Sequence, residues 1–145
     1  MIEVRPLRVE DAAAWRELWR GYLAFYETEL PEAIYRTAFE RLTSPGEPDY
    51  QGLLALRDGE PVGLAHFIFH RHGWQIEDVC YLQDLFVAPE ARGLGAGRAL
   101  IAAVFDAADA AGRPHVYWLT QEHNAVARQL YDEVGRATRF IKYQR

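Results

Sequence analysis

The chain predicts an α/β fold: a mixed, mostly antiparallel central sheet with helices on both faces, in the order β-α-α-β-β-β-α-β-α-β. Three observations carry this. Apolar residues recur with period two, then with period 3.6 over residues 11–42, then with period two again before the two patterns alternate. The central strand-like runs are joined by short glycine turns, which makes them antiparallel neighbours. A helix-like run over 93–111 separates two strand-like runs, and a helical crossover of that kind joins parallel strands.

The elements follow in order. Ile2-Glu3-Val4-Arg5-Pro6-Leu7 alternates apolar and polar residues and reads as a strand ending at Pro6. Asp11 is placed to cap a helix carrying Ala14, Trp15, Leu18, Trp19, Tyr22 and Phe25 near one face. Pro31 suits the first turn of a second helix, whose apolar face is Ile34, Tyr35, Ala38, Phe39 and Leu42. Thr43 to Asp49 is loop by composition. Leu53–Leu56 and Val62–Phe69 flank Asp58-Gly59, a hairpin signal. A turn around His72-Gly73 leads to a long strand-like stretch ending at Val87, before Pro89. A helix over 93–111 stops at Gly112-Arg113-Pro114. A strand His115–Thr120, a helix Asn124–Val134 and a last strand Thr138–Tyr143 complete the chain. Without repeats, low-complexity segments or a linker, residues 1–145 read as one domain.

Composition narrows the function classes. No apolar run approaches the ~20 residues of a membrane span. Glu3 and Arg5 interrupt any signal-peptide core. The one cysteine, Cys80, cannot form an internal disulfide, and in a strand-like run it reads as buried filler. These features point to the cytoplasm and to no membrane partner. A net charge of −5 argues against a nucleic-acid binder and is compatible with a cationic substrate such as an amine.

Between the strand-like run Tyr81–Val87 and the next helix lies Arg92-Gly93-Leu94-Gly95-Ala96-Gly97. Glycines let backbone approach a ligand closely, and a helix start offers N–H groups and a positive dipole end to a phosphate. Arg92 and Arg98 flank the turn and add charge-assisted donors. A P-loop would need Lys-Ser/Thr after Gly97, and a dinucleotide fingerprint would need glycine where Arg98 stands. Both nucleotide readings fail on residues.

The run is instead similar to the Arg/Gln-x-x-Gly-x-Gly/Ala motif of the GCN5-related N-acetyltransferase (GNAT) superfamily, matched by Arg92, Gly95 and Gly97. A second match is Trp118 to Gly135, where Asn124 opens a helix and the pair Leu130-Tyr131 follows. This stretch resembles the polyamine/histone acetyltransferase-like branch. The resemblance implies a GNAT-like fold and acetyl-CoA as co-substrate. It implies that the turn from Arg92 through Gly93, Leu94, Gly95, Ala96 and Gly97 to Arg98 holds the pyrophosphate. It further implies that Leu85, Phe86 and Val87 lie beside the pantetheine arm, with a main-chain N–H polarising the thioester carbonyl. Asn124 would help hold that arm, and Tyr131 would protonate the departing thiolate. The chemistry is consistent: a thiol leaving group with a pKa near ~8.5 is well served by a phenol of pKa ~10, which is protonated at neutral pH. Each residue also has a plainer reading, Asn124 as a helix cap and Tyr131 as packing.

A substrate ammonium must lose a proton before attack. Related polyamine enzymes carry Leu-Glu-Asp where this chain has Leu82-Gln83-Asp84, and the amide of Gln83 cannot act as a base. Asp84, Glu77, Asp78, His66 and His70 remain, with Asp84 or Glu77 favoured. His66 and His70 share a strand face about 13 Å apart and cannot share a metal, so no metal is expected. The resemblance implies an N-acetyltransferase acting on a primary amine in a ternary complex, with a small or polyamine-like acceptor. A non-catalytic acyl-CoA-binding module, or acetylation of a protein N-terminus or lysine, are the alternatives. Trp15, Trp19, Tyr22, Phe25 and Tyr26 crowd one helix and suit core, substrate wall or interface. Ten residues follow Gly135, enough for one strand, which suggests that a partner copy completes the edge in a homodimer.

Overall fold

The computed structural model describes residues 1–145. One five-stranded sheet holds β1 (Ile2–Pro6), β2 (Tyr50–Arg57), β3 (Glu60–His70), β4 (Val79–Val87) and β5 (Val116–Tyr117) in chain order. β1 to β4 pair antiparallel, and β4 pairs parallel with β5. The helices are α1 (Ala12–Phe25), α2 (Glu32–Thr43), α3 (Ala96–Ala110) and α4 (Ala125–Val134). This is the expected mixed sheet with helices on both faces.

The pleat sends alternate side chains to opposite faces, so neighbouring residues feed separate cores. Leu54, Leu56 and Leu64 meet Trp15, Leu18, Trp19 and Leu23 of α1 and Tyr35 and Leu42 of α2. Leu53, Ala55, Ala65 and Phe67 meet Leu100, Ile101 and Val104 of α3. β2 and β3 turn through Asp58-Gly59, with φ of 50° and 85°, the two positive values that a tight hairpin turn requires. Gly112, at φ 70°, ends α3: its N–H bonds the Asp109 carbonyl, and the Arg113 N–H bonds the Ala108 carbonyl.

One irregularity sets up the site. In the β3–β4 ladder His66 pairs with Asp84 but Phe67 pairs with Leu82, so Gln83 is an extra, unpaired residue. The bulge exchanges the faces of β4. Cys80 and Leu82 pack toward α3, whereas Phe86 belongs to the core under α1 and Asp84 bonds to His66 there.

Several expectations are corrected. Asp11 occupies the cap position of α1, but its side chain caps no N–H of that helix: its carboxylate accepts from both Nη atoms of Arg5, at 2.8 and 2.9 Å, and from the Arg8 N–H at 2.7 Å. It thereby closes a 3₁₀ turn over Val9–Asp11, and the Arg5 hydrogen bonds hold its carboxyl below the usual range. Pro31 is the cap residue of α2 with ψ of 153°, outside the first helical turn. The helix expected from 93 starts at Ala96, because Gly93 and Gly95 stand at φ 79° and 90°, a left-handed region that no helix continues through. The strand expected over His115–Thr120 is only Val116–Tyr117. Its ladder pairs Cys80 with Val116 and Tyr81 with Tyr117, and it ends just ahead of the bulge at Gln83. The last strand over Thr138–Tyr143 does not form. Residues 136–145 make no hydrogen bond to the rest of the chain, and Phe140, Ile141 and Tyr143 are exposed. A strand needs a ladder, and the two residues of β5 offer almost none.

Candidate active site

Where the β4–β5 ladder ends, the two strands become opposite walls of a narrow cleft. Leu82, Gln83 and Leu85 of β4 form one wall; Trp118 and Leu119, just past β5, form the other. Tyr22 of α1, Tyr26 just past its end and Tyr131 of α4 close it. Tyr131 is half-buried and meets Trp118 edge-on, with ring centroids 5.7 Å apart. Trp118 is in turn backed by Gly135, where any Cβ would come within 2.8 Å of the indole. Burial pushes the Tyr131 hydroxyl up to about 12, so it stays protonated through the neutral range.

At one end of β4 lies the glycine turn. A 3₁₀ turn over Pro89–Ala91 follows the strand, and the chain then passes through Gly93 and Gly95 into α3. The N–H groups of Gly93, Leu94, Gly95, Ala96, Gly97 and Arg98 have no acceptor within the protein. No side chain caps α3. A Cβ at Gly93 or Gly95 would meet nothing within 4 Å, so the concave side of the turn is open. Six consecutive free donors at the positive end of a four-turn helix suit a dianionic phosphate group. Arg92 folds back: its Nε donates to the Val87 carbonyl at 3.0 Å, and its guanidinium lies over Phe25 and Phe86. Arg98 pairs with Glu133 of α4, which ties the turn to the helix bearing Tyr131.

The other expected residues divide. Leu85 lines the cleft, Phe86 turns its ring under α1 beside Gly21, and Val87 packs beside Gly97. Asn124 stands at the start of α4, but its side chain caps no N–H; its Nδ2 donates to Thr120 Oγ1 at 3.4 Å. Asn124 is thus the cap residue of α4 by position, its carbonyl accepting from the Arg128 N–H, without a side-chain cap bond. Asp84 is buried behind the cleft wall, 7% exposed, and accepts from His66 Nδ1 at 2.8 Å. His66 is fully buried and is held by Trp15 from the other side. Of the other suggested bases, Asp78 pairs with Arg113, Glu77 is exposed in the loop before β4, and His70 bonds to Tyr117.

Four tyrosines surround Asp84. Burial, and then the Asp84 charge, raises the hydroxyls of Tyr22, Tyr26 and Tyr81 above the phenol range, and takes Tyr50 to about 12. Tyr22 and Tyr26 belong both to this ring and to the cleft, so they connect Asp84 to it. Sequence reasoning saw these tyrosines as an undivided aromatic helix face. The spacing of 22 and 26, one helical turn apart, was the available signal. Nothing local announced the bulge at Gln83.

Comparison with known proteins fits this geometry. The model of the acetyltransferase (GNAT) family matches residues 12–135. The D-amino-acid N-acetyltransferase HPA3 of Saccharomyces cerevisiae is 37% identical over 146 residues, covering 99% of this chain and 90% of that protein. The aminoglycoside N(6′)-acetyltransferase type 1 of Stenotrophomonas maltophilia is 33% identical over 108 residues, covering 70% of this chain and 63% of that protein. Among solved structures, AAC(6′)-Iy in complex with the bisubstrate analog CoA-S-monomethyl-acetylneamine superimposes with a TM-score of 0.85 at 21% identity. That match covers 100% of this chain and 98% of the other.

Proposed function

As the chain belongs to the acetyltransferase (GNAT) family, we propose that it moves an acetyl group from acetyl-CoA to the primary amine of a small acceptor, by direct attack in a ternary complex. Membership makes it an acyl-CoA-dependent N-acyltransferase; donor, acceptor and residue roles are our reading. The observation that carries it is the turn of six free N–H groups from Gly93 to Arg98, one strand-end away from a cleft that ends on Tyr131.

Acetyl-CoA supplies a thioester with a thiolate leaving group. The amides of Gly93 to Arg98 hold its pyrophosphate, and Arg92 lies close enough to add charge. Leu85, Val87 and the backbone at Phe86 border the arm, and Asn124 offers its free side-chain oxygen there. The bulge at Gln83 frees backbone from the ladder next to the cleft, which suits a main-chain donor to the thioester carbonyl. The amine forms its N–C bond as the C–S bond breaks. One proton passes from the ammonium toward Asp84 by way of Tyr22; Tyr131 gives its proton to the sulfur and recovers one from the nitrogen, which sheds its second proton as the amide forms. Tyr131 is suited to this because burial keeps its hydroxyl protonated.

A small acceptor is favoured by the narrowness of the cleft and by the substrates named for relatives, a D-amino acid and aminoglycosides. The homodimer reading rests on the tail. Residues 136–145 leave their backbone unpaired and carry the exposed Phe140, Ile141 and Tyr143, and β5 is an edge strand of the sheet. A second copy would supply the missing ladder. Light scattering tests it, and a monomer at high concentration overturns it.

The functional test is release of free CoA thiol on mixing protein, acetyl-CoA and a panel of small amines. Release that requires both protein and amine supports the proposal. Tight acetyl-CoA binding without amine-dependent release would leave a binding module instead.

A further inference from the structure

The chain Trp15–His66–Asp84 links α1, β3 and β4 through the middle of the core. Trp15 is 1% exposed and His66 0%. An indole nitrogen can only donate, and Trp15 Nε1 lies 2.9 Å from His66 Nε2. That ring nitrogen is therefore the unprotonated acceptor. The imidazole is neutral, its proton sits on Nδ1, and this N–H donates to Asp84 Oδ2 at 2.8 Å. The two neighbours fix the tautomer between them.

Two consequences follow. His66 has no lone pair left, so it cannot take the amine's proton, and it is removed from the suggested bases. Asp84 is also bonded to a neutral donor and not to a cation: no Lys or Arg forms an ion pair with it. The groups facing it are the hydroxyls of Tyr22 from α1, Tyr26 just past its end, Tyr50 from β2 and Tyr81 from β4, with Arg41 of α2 beyond Tyr50. An imidazolium in place of the neutral ring would cancel the carboxylate's charge at the distance of a hydrogen bond.

We propose that Trp15 and His66 are positioning residues that keep Asp84 an un-neutralised carboxylate, one oxygen tied to His66, whose charge reaches the acceptor's ammonium group in the cleft through Tyr22. This rests on the reading of Asp84 given above. The acceptor class it implies is an amine that arrives as a cation, since a charged carboxylate behind an aromatic wall discriminates against a neutral nucleophile of the same shape.

The Trp15→Phe protein tests this, because phenylalanine preserves a ring against Trp19 (centroids now 5.1 Å apart) and deletes only the N–H and some volume. Two readouts are followed between pH 5 and 8: the ring-nitrogen NMR shifts of His66, and kcat/KM for the amine. Wild-type His66 should show the Nδ1–H tautomer, with Nε2 accepting from Trp15. In Trp15→Phe, His66 should titrate, and kcat/KM for the amine should fall at least about tenfold as pH drops through that transition, recovering above it, with KM for acetyl-CoA unchanged. His66→Gln can accept from Trp15 and donate to Asp84 without titrating, so it should retain the wild-type pH profile, whereas His66→Leu should lose amine turnover at every pH. A folded Trp15→Phe protein whose profile parallels wild type, or a His66→Gln protein as impaired as His66→Leu, overturns the proposal. Absence of amine-dependent CoA release in the wild type would sink the function reading instead, and the His66 titration would still report on the positioning chain.

Discussion

Gly95 and Gly112 stand just outside opposite ends of α3, both in the left-handed region, at φ 90° and 70°, and a Cβ at either would touch nothing within 4 Å. Alanine at either position is therefore strained by backbone alone, at about 1–2 kcal/mol. For a chain of this length that is a fall of roughly 4–8 °C in melting temperature. The two substitutions differ in what the strain disturbs. Relief at Gly112 unwinds a helix end remote from the cleft. Relief at Gly95 re-aims the free N–H groups of the cradle. Losing even two hydrogen bonds to a charged pyrophosphate costs about 3–6 kcal/mol of binding, which exceeds a hundredfold in affinity. CoA at about 100 times its dissociation constant stabilises wild type by about 2.7 kcal/mol. Circular-dichroism melts with and without CoA read both effects. Gly95→Ala and Gly112→Ala should melt at similar temperatures without ligand, and only Gly112→Ala should keep the full CoA-induced rise. Equal rises in the two variants would refute the assignment of the turn as the pyrophosphate cradle.

Two further outcomes are expected. The buried tyrosines hold their protons in the folded state to a higher pH than in the unfolded chain, Tyr50 and Tyr131 to about 12. The folded protein then binds more protons than the unfolded one above pH ~10, so stability should fall as pH rises from ~10 to ~12. Phenolate absorbance should appear together with loss of the circular-dichroism signal; ionisation of all the tyrosines well before unfolding would contradict their burial. Gly135→Ala should disturb Tyr131 through Trp118, because the new Cβ would lie 2.8 Å from the indole. Overpacking of this kind costs about 1–3 kcal/mol. Turnover should fall while CoA affinity holds, as read by parallel kinetics and calorimetry; unchanged kinetics would mean that Trp118 does not seat Tyr131.

What could be read from residues alone is what depends on near neighbours. The Asp58-Gly59 hairpin, the Gly112 stop and the strand–glycine turn–helix around Gly95 are each specified within a few positions, by positive φ or by a free helix end. The bulge at Gln83 is a matter of register between β3 and β4, and a period-two pattern cannot count an inserted residue in its partner. It nevertheless decides that Asp84 faces Trp15 and His66 and that Leu85 faces the cleft. The polar chain joins residues 15, 66 and 84, drawn from three elements, and no spacing rule connects them. Thr138 to Tyr143 shows the opposite failure: its composition suits a strand, but β propensity is realised only against a partner, and β5 is too short to be one. Asp11 likewise has the residue type of a cap, yet Arg5 and the Arg8 N–H, six and three positions away, compete for its carboxylate and win.

Turnover by the Tyr131→Phe protein bears most directly on the proposed chemistry. Phenylalanine keeps the edge-on contact with Trp118 and removes only the hydroxyl that burial holds protonated. A positioned general acid contributes about 10²–10⁴-fold, and a thiolate of modest basicity places this case near the lower end. Amine-dependent CoA release should therefore drop about a hundredfold in kcat, with acetyl-CoA affinity changed by less than about twofold. Wild-type turnover in a Tyr131→Phe protein that binds acetyl-CoA normally would contradict the proton transfer to sulfur.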